Sequence, residues 1–239
     1  MTVANGIWAL IPAGGQGLRM LASTPKQYHP ILGRPVLLHT LERLCAHPRI
    51  RGVLVGVSEH DHHWQAFIPI LVRLPKYLGK YTGGETRAHT VLNGLKELAK
   101  HAKPDDWVMV HDAVRPCVRH VDLDKLIAAV GADEEGGLLA LPVSDTVKRA
   151  DMEGRIIATV ERAGLWRAAT PQMFRIGKLR NALEAGLKHG DKITDEASAI
   201  EAAGGHPRVV ACHGDNIKIT VAEDLYLAEL ILKQQQGNA

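Results

Sequence analysis

Aromatic side chains are scarce in this chain: Phe, Trp and Tyr make up 4% of its 239 residues. So thin a supply argues against a platform on which successive bases stack. Lysine and arginine never form a dense run, and the formal net charge is only +3. The cations therefore read as ligands for small anions, and no nucleic acid partner is expected. The cysteines, Cys45, Cys117 and Cys212, are three in number and widely spaced. That suits reduced thiols in a cytoplasm better than a disulfide framework. No apolar run approaches the roughly 20 residues that span a bilayer, so no membrane partner is expected either. The amino-terminal stretch MTVANGIWALIPAGG has no basic region ahead of its short apolar run, unlike a signal peptide. Repeats and low-complexity linkers are also missing, which points to one domain over 1–239.

What the chain does have begins at Gly6. The run Ile7-Trp8-Ala9-Leu10-Ile11 has the length and apolarity of a strand buried in a parallel sheet, and Pro12 ends it for want of an amide hydrogen. Gly14, Gly15 and Gly17 then allow a tight turn and a close approach of backbone to ligand. Amides in such a turn can converge on an anion, and Arg19 and Lys26 add cations suited to phosphate. The spacing is neither the dinucleotide fingerprint nor a P-loop, because Met20 replaces the third small residue and no Lys-Ser/Thr pair follows. An ordinary strand-to-loop turn flanked by surface cations is the alternative.

Further along, an amphipathic helix over Val36–Ala46, an apolar strand Gly52–Val57 and a strand Leu78–Thr82 describe βαβ crossovers and a mainly parallel sheet. The His60-Asp61-His62-His63 cluster has nearly consecutive residues, which fits a solvated loop better than a metal site. Gly83, Gly84, Arg87 and Thr90 precede or open a helix capped by Thr86 or Glu85, a second place where amides and a hydroxyl could hold a nucleotide. The strand ending at Val110 delivers His111 and Asp112 to its carboxyl edge, where ligands of open α/β sheets sit. An aspartate there suits Mg²⁺, which takes carboxylate, phosphate and water oxygens; a capping role is the alternative. Arg115 can reach a second anion.

A helix over Val121–Gly131, with Asp122 as its cap, and a core strand Gly137–Val143 come next. The pattern then changes to a two-residue alternation on either side of Asp151-Met152-Glu153-Gly154, the signature of a β-hairpin. This inserted arm, 143–164, has little core to cover. A return strand at Ala169–Phe174, a helix Ile176–His189, and a further helix opened by Thr194 or Asp195 follow. After the strand Arg208–Cys212, Lys218 lies in a short apolar-flanked stretch predicted as a strand, where it either meets an anion or guards a sheet edge. Glu223–Lys233 is the final helix.

The string P-A-G-G-x-G-x-R-M followed by P-K-Q, together with G-G-x-x-R-x-x-T, H-D-A-x-R-P and T-P-Q, resembles the 2-C-methyl-D-erythritol 4-phosphate cytidylyltransferase family among the nucleotidyltransferases of sugar and polyol phosphates. The resemblance implies a Rossmann-like nucleotidyltransferase fold with helices on both faces of an open, mainly parallel sheet. It implies transfer of a cytidylyl group from CTP to 2-C-methyl-D-erythritol 4-phosphate, with Mg²⁺ as cofactor, in non-mevalonate isoprenoid synthesis. Arg19 and Lys26 would meet the triphosphate and Lys218 the α-phosphate. Ala13, Gly14, Gly15, Gly17, Gly83, Gly84 and Thr90 would frame CTP, and Thr90 stands where the family has Ser. Asp112 would hold the metal, with Asp215 a second carboxylate. Arg115, Thr194 and, from the partner of a homodimer joined through the arm, Thr146 and Arg162 would hold the acceptor. A cytidylyltransferase for ribitol 5-phosphate, an NAD-dependent oxidoreductase and a non-catalytic nucleotide-binding regulator are the competing readings.

Overall fold

The computed structural model describes residues 6–15, 24–131 and 133–237. In chain order the elements are β1 (Ile7–Pro12), β2 (Pro30–Ile31), β3 (Arg34–Pro35), α1 (Val36–Cys45), β4 (Ile50–Val57), α2 (Ile68–Leu71), β5 (Tyr77–Thr82), α3 (Arg87–Leu98), β6 (Trp107–Val110) and α4 (His120–Val130). There follow β7 (Gly137–Pro142), β8 (Val147–Ala150), β9 (Ile156–Val160), β10 (Trp166–Arg175), α5 (Ile176–His189), α6 (Glu196–Ala202), β11 (Arg208–Ala211) and α7 (Ala222–Gly237). Seven strands form one sheet in the order β11-β7-β10-β6-β1-β4-β5. All pairings are parallel except those of β10, which runs antiparallel between β6 and β7.

β1 shows why the sheet needs helices on both faces. Ala9 and Ile11 pack on one side with Leu37, Leu41 and Leu44 of α1 and Leu126 and Ile127 of α4. Leu10 packs on the other with Val91 and Leu95 of α3 and Leu179 of α5. Both faces are buried, so the strand reads as a continuous apolar run. From β1 the chain crosses to β4 and β5 on one side, then returns to β6 on the other. The carboxyl ends of β1 and β6 thus border a point where strand order reverses, which is where such sheets open a crevice. One glycine sets a wall of that crevice. A Cβ on Gly56 would lie 2.6 Å from the Tyr81 ring and 2.8 Å from the Thr90 methyl, so its absence lets α3 sit close against β4.

Two local expectations are corrected. Asp122 does not cap α4, which begins at His120 with Arg119 at its cap position, three residues before Asp122. Its fully buried carboxylate accepts instead from the His213 amide at 3.0 Å and from Lys125 at 3.2 Å. Lys218 is not on a strand: β11 ends at Ala211 and residues 212–220 form no ladder. Ile219 explains this, because it is fully buried in a third apolar cluster with Val114, Cys117 and Ala228, and its amide bonds the Val114 carbonyl. Apolar flanks around Lys218 therefore anchor a loop to the end of β6 rather than to a sheet. Thr86 does cap α3 and Asp195 does cap α6, each accepting an amide of the first turn. Among the described residues β8 and β9 pair only with each other, as the hairpin reading requires.

Candidate active site

The crevice at the ends of β1 and β6 is a cavity of about 210 Å³. Pro12, Ala13, Gly14 and Gly15 form one wall and Gly84, Glu85, Thr86 and Arg87 the opposite one. Lys26, Asp112 and Lys218 complete it. Gly15 lines the cleft, and among the described residues a Cβ added to it would meet nothing within 4 Å. The short helix Lys26–Tyr28 is pinned beside this loop: the buried Gln27 amide donates to the Ala13 carbonyl at 2.8 Å. The Tyr28 hydroxyl donates to Asp61 at 2.7 Å. Asp61 also accepts from the His63 and Trp64 amides, so this member of the histidine-rich loop serves architecture.

Asp112 is the electrostatic centre. Lys218 Nζ lies 2.9 Å from Oδ2, Arg115 Nε 3.3 Å from the same oxygen, and an Arg87 guanidinium nitrogen 3.3 Å from Oδ1. Burial alone would push this carboxyl up; Arg87, Lys218 and Arg115 override it and hold it well below the usual carboxylate range. The charge is thus permanent at neutral pH. Arg87 also makes a two-pronged pair with the buried Glu196 of α6, at 2.5 and 3.1 Å. Burial opposes its charge, but Glu196 and Asp112 raise its pKa and keep it protonated.

A hydrogen-bond chain beneath fixes Asp112. The Asp112 amide donates to Thr170 Oγ1 at 3.0 Å, and that hydroxyl donates to His111 Nδ1 at 2.9 Å. His111 Nε2 donates in turn to the Arg115 carbonyl at 3.0 Å. Burial drives the His111 pKa down to about 4, so the imidazole is neutral at pH 7; the Arg115 carbonyl can only accept, which puts the ring's proton on Nε2 and leaves Nδ1 as the acceptor. Arg115 is buried too; its second contact is the Asn216 carbonyl at 2.7 Å, and the Asn216 amide reaches the Thr170 carbonyl at 2.9 Å. The Lys218 loop, β10 and the end of β6 are locked together in this way.

Of the expected site residues, Ala13, Gly14, Gly15, Lys26, Gly84, Asp112 and Lys218 line the cleft. Thr90 is buried behind it: its hydroxyl accepts the Gly84 amide at 3.0 Å, which shapes the loop from below. Gly83 lies beside it, its amide bonded to the Val57 carbonyl. Gly17 and Arg19 lie outside the described residues. Asp215 is not brought to the cleft. Its Oδ2 is taken by Arg119 at 2.6 Å and by Gln235 of α7 at 3.0 Å, which directs it toward the far side of the loop. Thr146, Arg162 and Thr194 are exposed and away from the cleft lining; the Arg162 guanidinium donates to the Ser144 carbonyl within the arm. Sequence reasoning placed Arg87 only in the second glycine segment, without its pairing to Asp112 and Glu196, and gave no role to Gln27, Glu196 or Thr170. Three of them stood in plain view inside G-G-x-x-R, P-K-Q and T-P-Q; Glu196 had no signal but its place in a helix cap.

The family model for 2-C-methyl-D-erythritol 4-phosphate cytidylyltransferase matches residues 7–234. The chain belongs to that family. The cytidylyltransferase of that name from Aromatoleum aromaticum is 50% identical over 225 residues, covering 94% of each chain. That from Azoarcus sp. (strain BH72) is 49% identical over 96% of this chain and 95% of the relative. Among solved structures, a 4-diphosphocytidyl-2C-methyl-D-erythritol synthase superposes with a TM-score of 0.83 at 39% identity, covering 97% of this chain and 100% of that one. The Francisella tularensis cytidylyltransferase gives 0.77 at 32% identity, over 95% and 99%. Over nearly its whole length this chain thus shares the fold of those solved structures. Among the described residues no helix is long and apolar enough to cross a membrane.

Proposed function

We propose that the Asp112 cleft transfers the cytidylyl group of CTP to the phosphate of 2-C-methyl-D-erythritol 4-phosphate and releases pyrophosphate, a step of non-mevalonate isoprenoid synthesis. The observation that carries the reading is Lys218 held 2.9 Å from Asp112 between a glycine loop and a second glycine-rich wall. An acceptor phosphate oxygen attacks the α-phosphorus in line, so two anions must meet. The chain's task is to position them and neutralise charge, not to supply a strong base. The amides of Gly14 and Gly15 face the triphosphate, joined by Lys26 and, from outside the described residues, Gly17 and Arg19. Gly83, Gly84 and Thr90 shape the wall for the nucleoside. Lys218 lies where charge builds on the α-phosphate.

Mg²⁺ fits this cleft. Among the described residues no group of three His, Cys, Asp or Glu side chains could hold a metal unaided. Mg²⁺ does not need one, since it takes one or two carboxylates and completes its shell with substrate phosphates and water. Asp112, ionised and on the cleft wall, would hold it, and the ion would supply further neutralisation of phosphate charge. Asp215, tied to Arg119, is not offered as a ligand.

The acceptor side borders a second cavity, of about 270 Å³, which shares Lys218 with the first and is lined by Arg115. The arm supports a homodimer. Ile156 and Ile157 are 67% and 62% exposed, and Met152 fully so. A hairpin this bare is marginal alone in water; a two-fold exchange would cover it and carry the exposed Thr146 and Arg162 to the partner's acceptor site, with Thr194 at that site's rim. The thiols of Cys45 and Cys117 are buried and pushed up to about 11 and about 12; with no disulfide to maintain, a cytoplasmic location suits the chain. The test is to incubate protein, CTP and Mg²⁺ with a panel of polyol phosphates. Pyrophosphate release with methylerythritol phosphate is expected. Equal kcat/KM with ribitol 5-phosphate would overturn the acceptor assignment.

A further inference from the structure

The second cavity contains a cation with no established role. Arg167 lies on β10, opposite Leu141 of β7, at the end of the strand that reaches Thr170 three residues later. It lines the cavity together with Arg115 and Lys218, and no Asp or Glu shares the lining. Three cations facing one concavity without a carboxylate make a site for an anion. The three are not equivalent. Arg115 is committed to Asp112 and to the Asn216 carbonyl, and Lys218 to Asp112. Arg167 is exposed and, among the described residues, its side chain has no hydrogen bond or ion pair. It is the cation of this wall that can turn fully to an incoming anion, and a guanidinium can grip a phosphate with two parallel N–H groups.

We infer that Arg167 is a further acceptor-binding residue, which captures the phosphate of the polyol phosphate from the same subunit that holds CTP. The inference rests on the reading of the cleft above. The geometry divides the labour: Lys218 borders both cavities and serves the reacting phosphorus, whereas Arg167 borders only the second. Losing Arg167 should therefore weaken acceptor binding and leave the nucleotide untouched.

Steady-state kinetics of Arg167→Ala, Arg167→Gln and Arg167→Lys in the full-length protein test this, with size-exclusion profiles taken at assay concentration. For Ala and Gln, KM for methylerythritol phosphate should rise about tenfold, the scale of one partly solvated charge-assisted contact. KM for CTP should stay within about twofold of wild type. Lys, which keeps the charge and loses the fork, should recover most of the loss. Inorganic phosphate, used as an inhibitor competing with the acceptor, should also bind the Ala variant less tightly. An unchanged acceptor KM in Ala and Gln overturns the inference, as does a rise in CTP KM of equal size. An acceptor KM rise accompanied by a change in oligomeric state, or not relieved by Lys, overturns it too, since a packing role would look like that. A wild-type protein that releases no pyrophosphate with any acceptor refutes the underlying reading instead.

Discussion

The wall around Asp112 and the hairpin arm are opposites within one chain. At Asp112 nearly every polar atom is engaged: three cations on one carboxylate, a threonine and a histidine behind it, and an arginine shared with a buried glutamate. In the arm, β8 and β9 pair, among the described residues, only with each other and present Ile156 and Ile157 to solvent. The difference teaches where each region gets its geometry. Residues at the ends of β1, β6 and β10 are positioned by the monomer's own core. Thr146, on the arm, and Arg162, just past it, are exposed and have no such frame.

The sharpest way to break the ordered side is Lys218→Ala. Turnover should fall by roughly 10²- to 10³-fold with little change in the KM for CTP, because the contact strengthens as charge builds on the α-phosphate. A change confined to KM would reduce Lys218 to ground-state binding. Asp112→Asn should lower kcat by about 10²-fold, and circular dichroism should verify that the variant folds. Wild-type turnover at ordinary Mg²⁺ would remove Asp112 from the centre.

A pH titration sharpens the same side through His111. Its folded pKa, about 4 against an ordinary 6.5, is depressed, so the neutral ring stabilises the fold above pH 6.5. Below that the unfolded state takes the proton first, and stability is lost as pH falls toward 4, by up to about 3 kcal/mol. Urea midpoints between pH 7 and 4 should show this fall, and His111→Gln should flatten it; identical slopes would mean that other groups govern the acid limb.

The arm should respond in the reverse sense. Ile157→Asp should change monomer stability by less than about 0.5 kcal/mol, since the side chain is largely exposed, yet it should abolish dimers in sedimentation and impair use of the acceptor. Mixing the singly inactive variants Arg162→Ala and Lys26→Ala should then restore up to half the dimers to one working site, provided subunits exchange. An active monomer, or a mixture that stays inactive after exchange, would refute composite sites.

The sequence by itself determined what depends on neighbours along the chain. The apolar run of β1 stopped by Pro12, the glycines beyond it, Asp112 at the end of a buried strand, and the two-residue alternation of the hairpin are local patterns, set by backbone freedom and side-chain periodicity. Whatever depends on residues far apart in the chain was decided by the tertiary structure. Arg87, Arg115 and Lys218 share one carboxylate only because α3, the end of β6 and the loop after β11 converge at the same edge. Asp215, three residues from Lys218, turns the other way because Arg119 and Gln235 meet it there. Lys218 lies on a loop because Ile219 fills an apolar cluster, a preference that a short apolar stretch cannot distinguish from strand pairing. Electrostatic pairing acts through space, so it is fixed only when the packed core has brought distant segments within a few ångströms of one another.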